Sequence, residues 1–93
     1  MTFMIIERFK DVDAIGDRFR ARGRMMPDNV LYIASWIDAL RDRCFQVMEA
    51  PDEDSLRPWL EAWSDLTDFE VVPVITSAEF WSTRQPGSTG KSQ

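Results

Sequence analysis

The 93-residue sequence contains no histidine and a single cysteine, Cys44. Without histidine, the chain lacks the most common general base and the most common metal ligand. No glycine-rich phosphate loop is present, and neither a metal nor a cofactor is expected. One cysteine cannot form a disulfide within the chain, which is typical of proteins from the reducing cytoplasm. No apolar run approaches the ~20 residues of a membrane-spanning helix, and the N-terminal pattern predicts a strand rather than a secretory signal.

Acidic residues outnumber basic ones by 16 to 11, giving a net charge of −5. This balance argues against nucleic acid as a partner, and no membrane partner is expected either. The charge is unevenly distributed. Residues 8–24 contain six basic and three acidic side chains, a local +3, whereas residues 49–70 contain eight acidic and one basic, a local −7. Two such segments can lie side by side and partly neutralise each other.

The hydrophobic pattern predicts the element order β-α-β-β-α-β. Predicted strands cover residues 2–9, 30–38, 43–50 and 69–75. A first helix should begin after Asp11 or Asp13 and end at Gly23. A second is marked by apolar residues at helical spacing, namely Leu56, Trp59, Leu60, Trp63 and Leu66. A short helical turn is predicted over 77–83. The chain is therefore interpreted as a single domain over residues 1–83, followed by a disordered polar tail at 84–93.

This order is that of a ferredoxin-like α+β fold, in which right-handed crossovers place two helices on one face of a four-stranded antiparallel sheet. Apolar residues fall on both faces of the predicted strands. The uncovered face would measure about 380 Å² in projection, from four strands ~4.8 Å apart and roughly six residues of ~3.3 Å each. We therefore expect a homodimer that forms through this sheet face. The alternative is a monomer whose C-terminal segment, with Phe80 and Trp81, folds over the sheet.

Four stretches of the sequence resemble the small bacterial proteins grouped as domain of unknown function 3303: MIIERF, RFRARGRMMP, SWIDALRDRCFQVMEA and WLEAWSDLTDFEVVPVITSAE. The resemblance covers residues 3–79. This family is similar to the dimeric α+β-barrel superfamily, in which two ferredoxin-like subunits pack sheet to sheet. The resemblance implies that arrangement but no established activity. The wider superfamily includes cofactor-independent monooxygenases, isomerases, haem-degrading enzymes and ligand-binding sensors, so fold analogy leaves the function open.

Five residues are candidates for binding a small anionic or aromatic molecule between the sheet and the helices. Arg22 and Arg24 could hold a carboxylate or phosphate in a bidentate manner. Aromatic walls could come from Trp36, Trp59 and Trp63. The same arginines could instead form an ion-pair face toward the acidic second helix, and the same tryptophans could be plain core residues.

Two carboxylates, Glu49 and Glu7, are weak candidates for catalysis. A carboxylate buried in a strand would have a raised pKa and could act as a general base. Glu49 is the preferred candidate because it follows an apolar strand near the expected sheet centre; the alternative for both is pairing with an arginine. The sequence thus leaves three hypotheses open: a small-molecule-binding module, a cofactor-independent monooxygenase- or isomerase-like enzyme, and a purely structural or interaction protein. A cavity of roughly 300 Å³ or more containing a buried carboxylate or arginine would favour the first two.

Overall fold

A computed structural model describes residues 1–83, so the predicted tail at 84–93 lies outside the described residues. The elements follow the predicted order, and the short helical turn predicted over 77–83 is present as a helix. They are β1 (Thr2–Phe9), α1 (Val12–Arg22), β2 (Leu31–Ile37), β3 (Arg43–Glu49), a 3₁₀ turn (Glu53–Leu56) that leads into α2 (Arg57–Trp63), β4 (Thr67–Val74) and α3 (Ser77–Ser82). No helix in this part of the chain has the length and apolar character needed to cross a membrane.

Both ends of α1 are set by the residues that the sequence indicates. The Asp11 side chain accepts a hydrogen bond from the Ala14 backbone N–H at 3.0 Å, which satisfies one of the free donors of the first turn. At the other end, Gly23 has φ 67° and its N–H donates to the Phe19 carbonyl at 2.7 Å. A positive φ is inexpensive for glycine, so the helix stops here and the chain turns toward the segment that carries Arg24.

The four strands form one antiparallel sheet in the order β2-β3-β1-β4. This is the arrangement of a ferredoxin-like α+β fold, and the predicted fold class is confirmed. The central strand β1 pairs with β3 on one side and with β4 on the other. Pro73 lies in the edge strand β4, a position where proline is tolerated although it has no backbone N–H to donate to a neighbouring strand.

One face of the sheet is covered by helices and forms the core. Phe3, Ile5 and Met48 on this face are fully buried, and Trp59 and Trp63 of α2 pack on them. Each alternate residue of β1 and β3 points to the other face. We call that side the open face; its residues, none of them fully buried, include Met4, Ile6, Phe45, Val47, Val72 and Val74.

A β-bulge in β2 changes which of its side chains face the helices. Tyr32 pairs with Met48 and Ala34 pairs with Val47, so Ile33 is the extra residue. The sequence pattern predicts that Tyr32 and Trp36 share a face, and this prediction is wrong. Because one residue is inserted between them, Tyr32 faces the helices while Trp36 joins the open face.

The basic and acidic segments contact each other, as the charge pattern predicts. Arg18 of α1 donates two hydrogen bonds, each 2.7 Å long, to the two carboxylate oxygens of Asp65, just after α2. A third donor interaction reaches the Ala62 carbonyl at 2.9 Å. A bidentate contact of this kind fixes the orientation of α1 relative to α2, and with it the space that lies between the two helices and the sheet.

Candidate functional site

A cavity of about 200 Å³ lies between the helix-covered sheet face and the two long helices. Its apolar walls come from six side chains: Phe9, Ile15, Phe19, Ile37, Trp59 and Trp63. Its polar surface comes from six others, contributed by all four strands and the segment after α1: Glu7, Arg24, Ser35, Cys44, Gln46 and Thr67. Beside α1 and the β2–β3 hairpin, the cavity shares Phe9, Ile15 and Ile37 with a wider, more open groove.

Glu7 is the chemically distinctive group of the cavity. It follows Phe3 and Ile5 at two-residue steps along β1 and therefore points to the helix-covered side. Its Oε2 atom is fully buried and has no hydrogen-bond partner within the described residues. Burial raises the pKa of Glu7 to about 7, against the opposing effect of the positive charge of Arg24. A carboxyl with this pKa can both accept and release a proton near neutrality.

Arg24 supplies the positive charge of the cavity. Its guanidinium lies over the Tyr32 ring, 3.8 Å from the centroid, and 5.3 Å from the centroid of Phe19. Within residues 1–83 it forms no ion pair and no side-chain hydrogen bond; contacts with two aromatic faces hold it instead. The Arg24 backbone is fixed as well, because its carbonyl accepts a 3.0 Å hydrogen bond from Trp63 Nε1.

The remaining polar side chains of the cavity have partners inside the protein. Ser35 Oγ shares a 2.7 Å hydrogen bond with the Tyr32 hydroxyl, and Thr67 Oγ1 donates to the Arg8 carbonyl at 3.1 Å. Gln46 Nε2 donates to the Met48 sulfur at 3.2 Å. Glu7 and Arg24 are thus the two charged groups of the cavity, and each has hydrogen-bonding capacity to spare.

Cys44 lies beside Glu7 on the floor of the cavity. Burial, reinforced by the negative charge of Glu7, raises the pKa of the Cys44 thiol to about 11. A thiol with this pKa is protonated at neutral pH and is a poor nucleophile. Cys44 is therefore a free, buried thiol of low reactivity.

The structure brings four of the sequence-predicted residues to this cavity. Arg24, Trp59 and Trp63 line it, as does Glu7, the second of the two carboxylate candidates. Trp59 and Trp63 are 3% and 7% exposed, so they serve the core and the cavity wall together. The alternative interpretation of the tryptophans as core residues is therefore correct as well.

Three predicted residues lie elsewhere. Trp36 is 58% exposed on the open face, because of the bulge in β2. Arg22 is exposed on the last turn of α1 and does not line the cavity. Glu49 lies at the end of β3 on the open-face side, 42% exposed, where it accepts a hydrogen bond from Thr2 Oγ1. Its strand β3 is central in the sheet, as expected, but Glu49 lies at the end of this strand and has a partner.

Several lining residues are absent from the sequence-based candidates, among them Phe19, Ser35 and Gln46. Alternation along β3 could have identified Gln46, a polar residue between the core-facing Cys44 and Met48. Ser35 could not be placed, because the position of the bulge decides its face. Within the described residues, no group of three or more histidine, cysteine, aspartate or glutamate side chains is arranged to hold a metal ion.

Comparison with known proteins assigns the chain to a family. The model of a domain of unknown function, DUF3303, matches residues 1–88. The chain belongs to this family. No curated protein and no solved structure matches it. Membership of DUF3303 brings no activity with it, so the function has to be argued from the cavity and the open face.

Proposed function

We propose that this DUF3303 domain binds a small organic molecule in the cavity between its sheet and helices. The observation that carries the proposal is the buried Glu7 Oε2, which has no partner in the described part of the chain and faces a cavity with apolar walls. A buried polar atom that lacks a hydrogen bond costs about 1–3 kcal/mol. Such an atom in a native structure calls for a partner such as a ligand or an ordered water.

The size of the cavity limits the ligand. Its volume of about 200 Å³ does not reach the roughly 300 Å³ set above as favouring a binding module or an enzyme, and it is below the 300–1,000 Å³ or so of pockets for drug-sized molecules. The other part of that criterion, a buried carboxylate, is met by Glu7. The cavity volume equals the liquid volume of about seven waters, at ~30 Å³ each. A single substituted ring fits this space, whereas a nucleotide or a haem does not. Two tryptophan faces and two phenylalanine side chains in the walls favour an aromatic ring.

Saturable binding of ring-sized probes tests the proposal. Phenol, anisole and benzoate are each titrated against the folded protein. At least one of them should quench tryptophan emission, because Trp59 and Trp63 form the cavity wall, and should raise the melting temperature. A probe at about 100 times its Kd should stabilise the fold by about 2.7 kcal/mol. If none of the three shows saturable binding, the proposal is wrong.

A matched pair of variants locates the binding site. Ile37 lies where the cavity meets the outer groove, so Ile37→Phe should obstruct entry and weaken binding several-fold. Leu40→Phe makes the same kind of change in the same hairpin at a side chain that is 81% exposed and lines neither space. Leu40→Phe should leave binding unchanged. Equal effects of the two changes would place the probe elsewhere.

A second candidate function is acid–base catalysis without a cofactor, favoured by the pKa of about 7 at Glu7. A positioned general base contributes about 10²–10⁴-fold to a rate. On any substrate that turns over, Glu7→Gln should therefore reduce kcat by at least about 100-fold, whereas Glu49→Gln should retain it. If Glu49→Gln lost kcat and Glu7→Gln retained it, Glu49 would be the general base instead.

We also propose that the domain is a homodimer of the α+β-barrel type, with a second copy seated on the open face. In β1 and β3, most residues facing the helices are buried, while their neighbours Met4, Ile6, Phe45 and Val47 are half-buried. α3 lies beside the end of the open face, where Glu79 lines a groove with Thr2 and Val74.

The area of the open face supports a second copy as its occupant. Covering this face, about 380 Å² in projection, contributes at most on the order of 10 kcal/mol per subunit before the costs of association. A copy of the same chain offers an equal area of the same chemistry, and a two-fold arrangement buries both at once. Light scattering should give a mass of twice the 10.8 kDa of one chain. The reduced, buried state of Cys44 supports a cytoplasmic location for this dimer.

A further inference from the structure

The two charged groups of the cavity are arranged as a receptor for one particular ligand group. Glu7 presents a buried acceptor oxygen without a partner. Arg24 presents a guanidinium that is held by the Tyr32 and Phe19 rings and makes no ion pair within residues 1–83. Glu7 and Arg24 border one small cavity and do not bond each other within residues 1–83, so a polar ligand group that bonds both would satisfy them.

We propose that the ligand is a single-ring aromatic molecule with a weakly acidic hydroxyl group, which donates its O–H to Glu7 and turns its oxygen toward Arg24. This inference rests on the proposed binding function of the cavity and names the class of ligand. A hydroxyl oxygen is at once a donor and an acceptor, so a single oxygen atom satisfies both side chains. The ring then occupies the apolar part of the cavity, against Trp59 and Trp63.

The charges of Glu7 and Arg24 favour a hydroxyl ligand over two simpler classes of ligand, carboxylates and ammonium ions. A carboxylate ligand would be attracted by Arg24 but would lie against the carboxylate of Glu7, which would repel it. An ammonium ligand would pair with Glu7 but would lie against the guanidinium of Arg24. A neutral hydroxyl avoids both conflicts, and it moves toward its anionic form when Glu7 takes up its proton and Arg24 balances the charge that remains on oxygen.

The ionisation of Glu7 is compatible with this role. Its pKa of about 7 makes it a far better proton acceptor than an ordinary carboxylate while leaving it mostly ionised above neutral pH. The other titratable group that borders Glu7 is Cys44, and its pKa of about 11 keeps the thiol neutral. Ser35, Gln46 and Thr67, which complete the polar surface, carry no charge.

Phenol and anisole form the decisive pair of probes, because they share the ring and differ in the O–H. Calorimetric titration at about pH 8, where phenol is neutral, should show phenol binding the wild-type protein at least about tenfold more tightly than anisole. Benzoate should bind more weakly than phenol. In Glu7→Leu the advantage of phenol over anisole should disappear, and benzoate should gain affinity because Arg24 is no longer opposed.

A matched control is Glu61→Leu, which removes an exposed carboxylate from α2, away from the cavity lining and from the open face, and should retain the wild-type order of affinities. Equal affinity of the wild-type protein for phenol and anisole would overturn the hydroxyl inference and leave the binding function standing. Tightest binding of benzoate would overturn it in favour of an anionic ligand. Failure of all three probes would overturn the binding function itself. The wild-type comparison needs no variant, so the test does not depend on the folding of Glu7→Leu.

Discussion

Aspartate in place of Val47 should halve the mass of the particle, from twice the 10.8 kDa of one chain to that of a single chain. Val47 lies on β3, paired with Met4 and with Ala34, at the centre of the open face. A carboxylate placed there would be buried against a second copy without a counter-charge. An uncompensated charge in an interface costs several kcal/mol, and the two-fold arrangement applies this cost twice. Light scattering at micromolar concentration measures the result.

The control for this change is Val12→Asp. Val12 is 57% exposed at the start of α1, where a negative charge is favourable because of the helix dipole. This variant should keep the mass of the wild-type protein. Trp36→Glu provides a second test of the interface, since Trp36 is 58% exposed on the open face and its replacement disturbs no core contact. A wild-type mass near 10.8 kDa, or a dimer that survives both Val47→Asp and Trp36→Glu, would contradict the proposal.

The fold follows from features that can be read along the chain. Asp11 and Gly23 bound α1, and Pro73 identifies β4 as an edge strand. Such signals are local, because capping, turn formation and alternation depend on residues a few positions apart. The open face is also predictable, since both sides of β1 and β3 are apolar.

The composition of the cavity was predictable only in part. Glu7 occupies a core-facing position of β1, and alternation from Phe3 and Ile5 places it there. Glu49 follows a central strand, as expected, but it lies at the end of β3 and does not line the cavity; a sequence without known strand register does not show this. Trp36 was misplaced by the bulge at Ile33, since an inserted residue reverses every later side chain of a strand.

The sequence also does not reveal the interaction partners of the charged side chains. Arg18 and Arg24 look equivalent in a run of arginines, yet Arg18 pairs with Asp65 and Arg24 stacks on Tyr32. Contacts between residues far apart in the chain decide which arginine is already neutralised. Of these two arginines, Arg24 makes no ion pair within residues 1–83, and it is the one that borders Glu7.

The stability of the domain should depend on pH through Glu7. The pKa of this carboxyl is about 7 in the folded protein against a reference value of 4.5, so the folded state binds the proton more tightly than the unfolded state. Its contribution is fully present below about pH 4.5 and is lost as the pH rises through 7. From the size of this shift, the loss between about pH 5 and about pH 8 is about 2.5 kcal/mol. Over the same range, the pKa of about 11 keeps the Cys44 thiol protonated.

Urea unfolding of the wild-type protein and Glu7→Gln at fixed protein concentration isolates this contribution. Glutamine keeps the shape of the side chain but cannot ionise, so the variant should gain about 2.5 kcal/mol relative to the wild type when the pH is raised from about 5 to about 8. Glu61→Gln, an exposed carboxyl on α2 changed in the same way, should retain the pH dependence of the wild type. Parallel pH profiles for the wild type and Glu7→Gln would show that Glu7 is solvated or paired in solution. If Glu7→Gln stabilises the fold and also binds phenol no better than anisole, the Glu7 carboxyl serves ligand binding and lowers the stability of the domain.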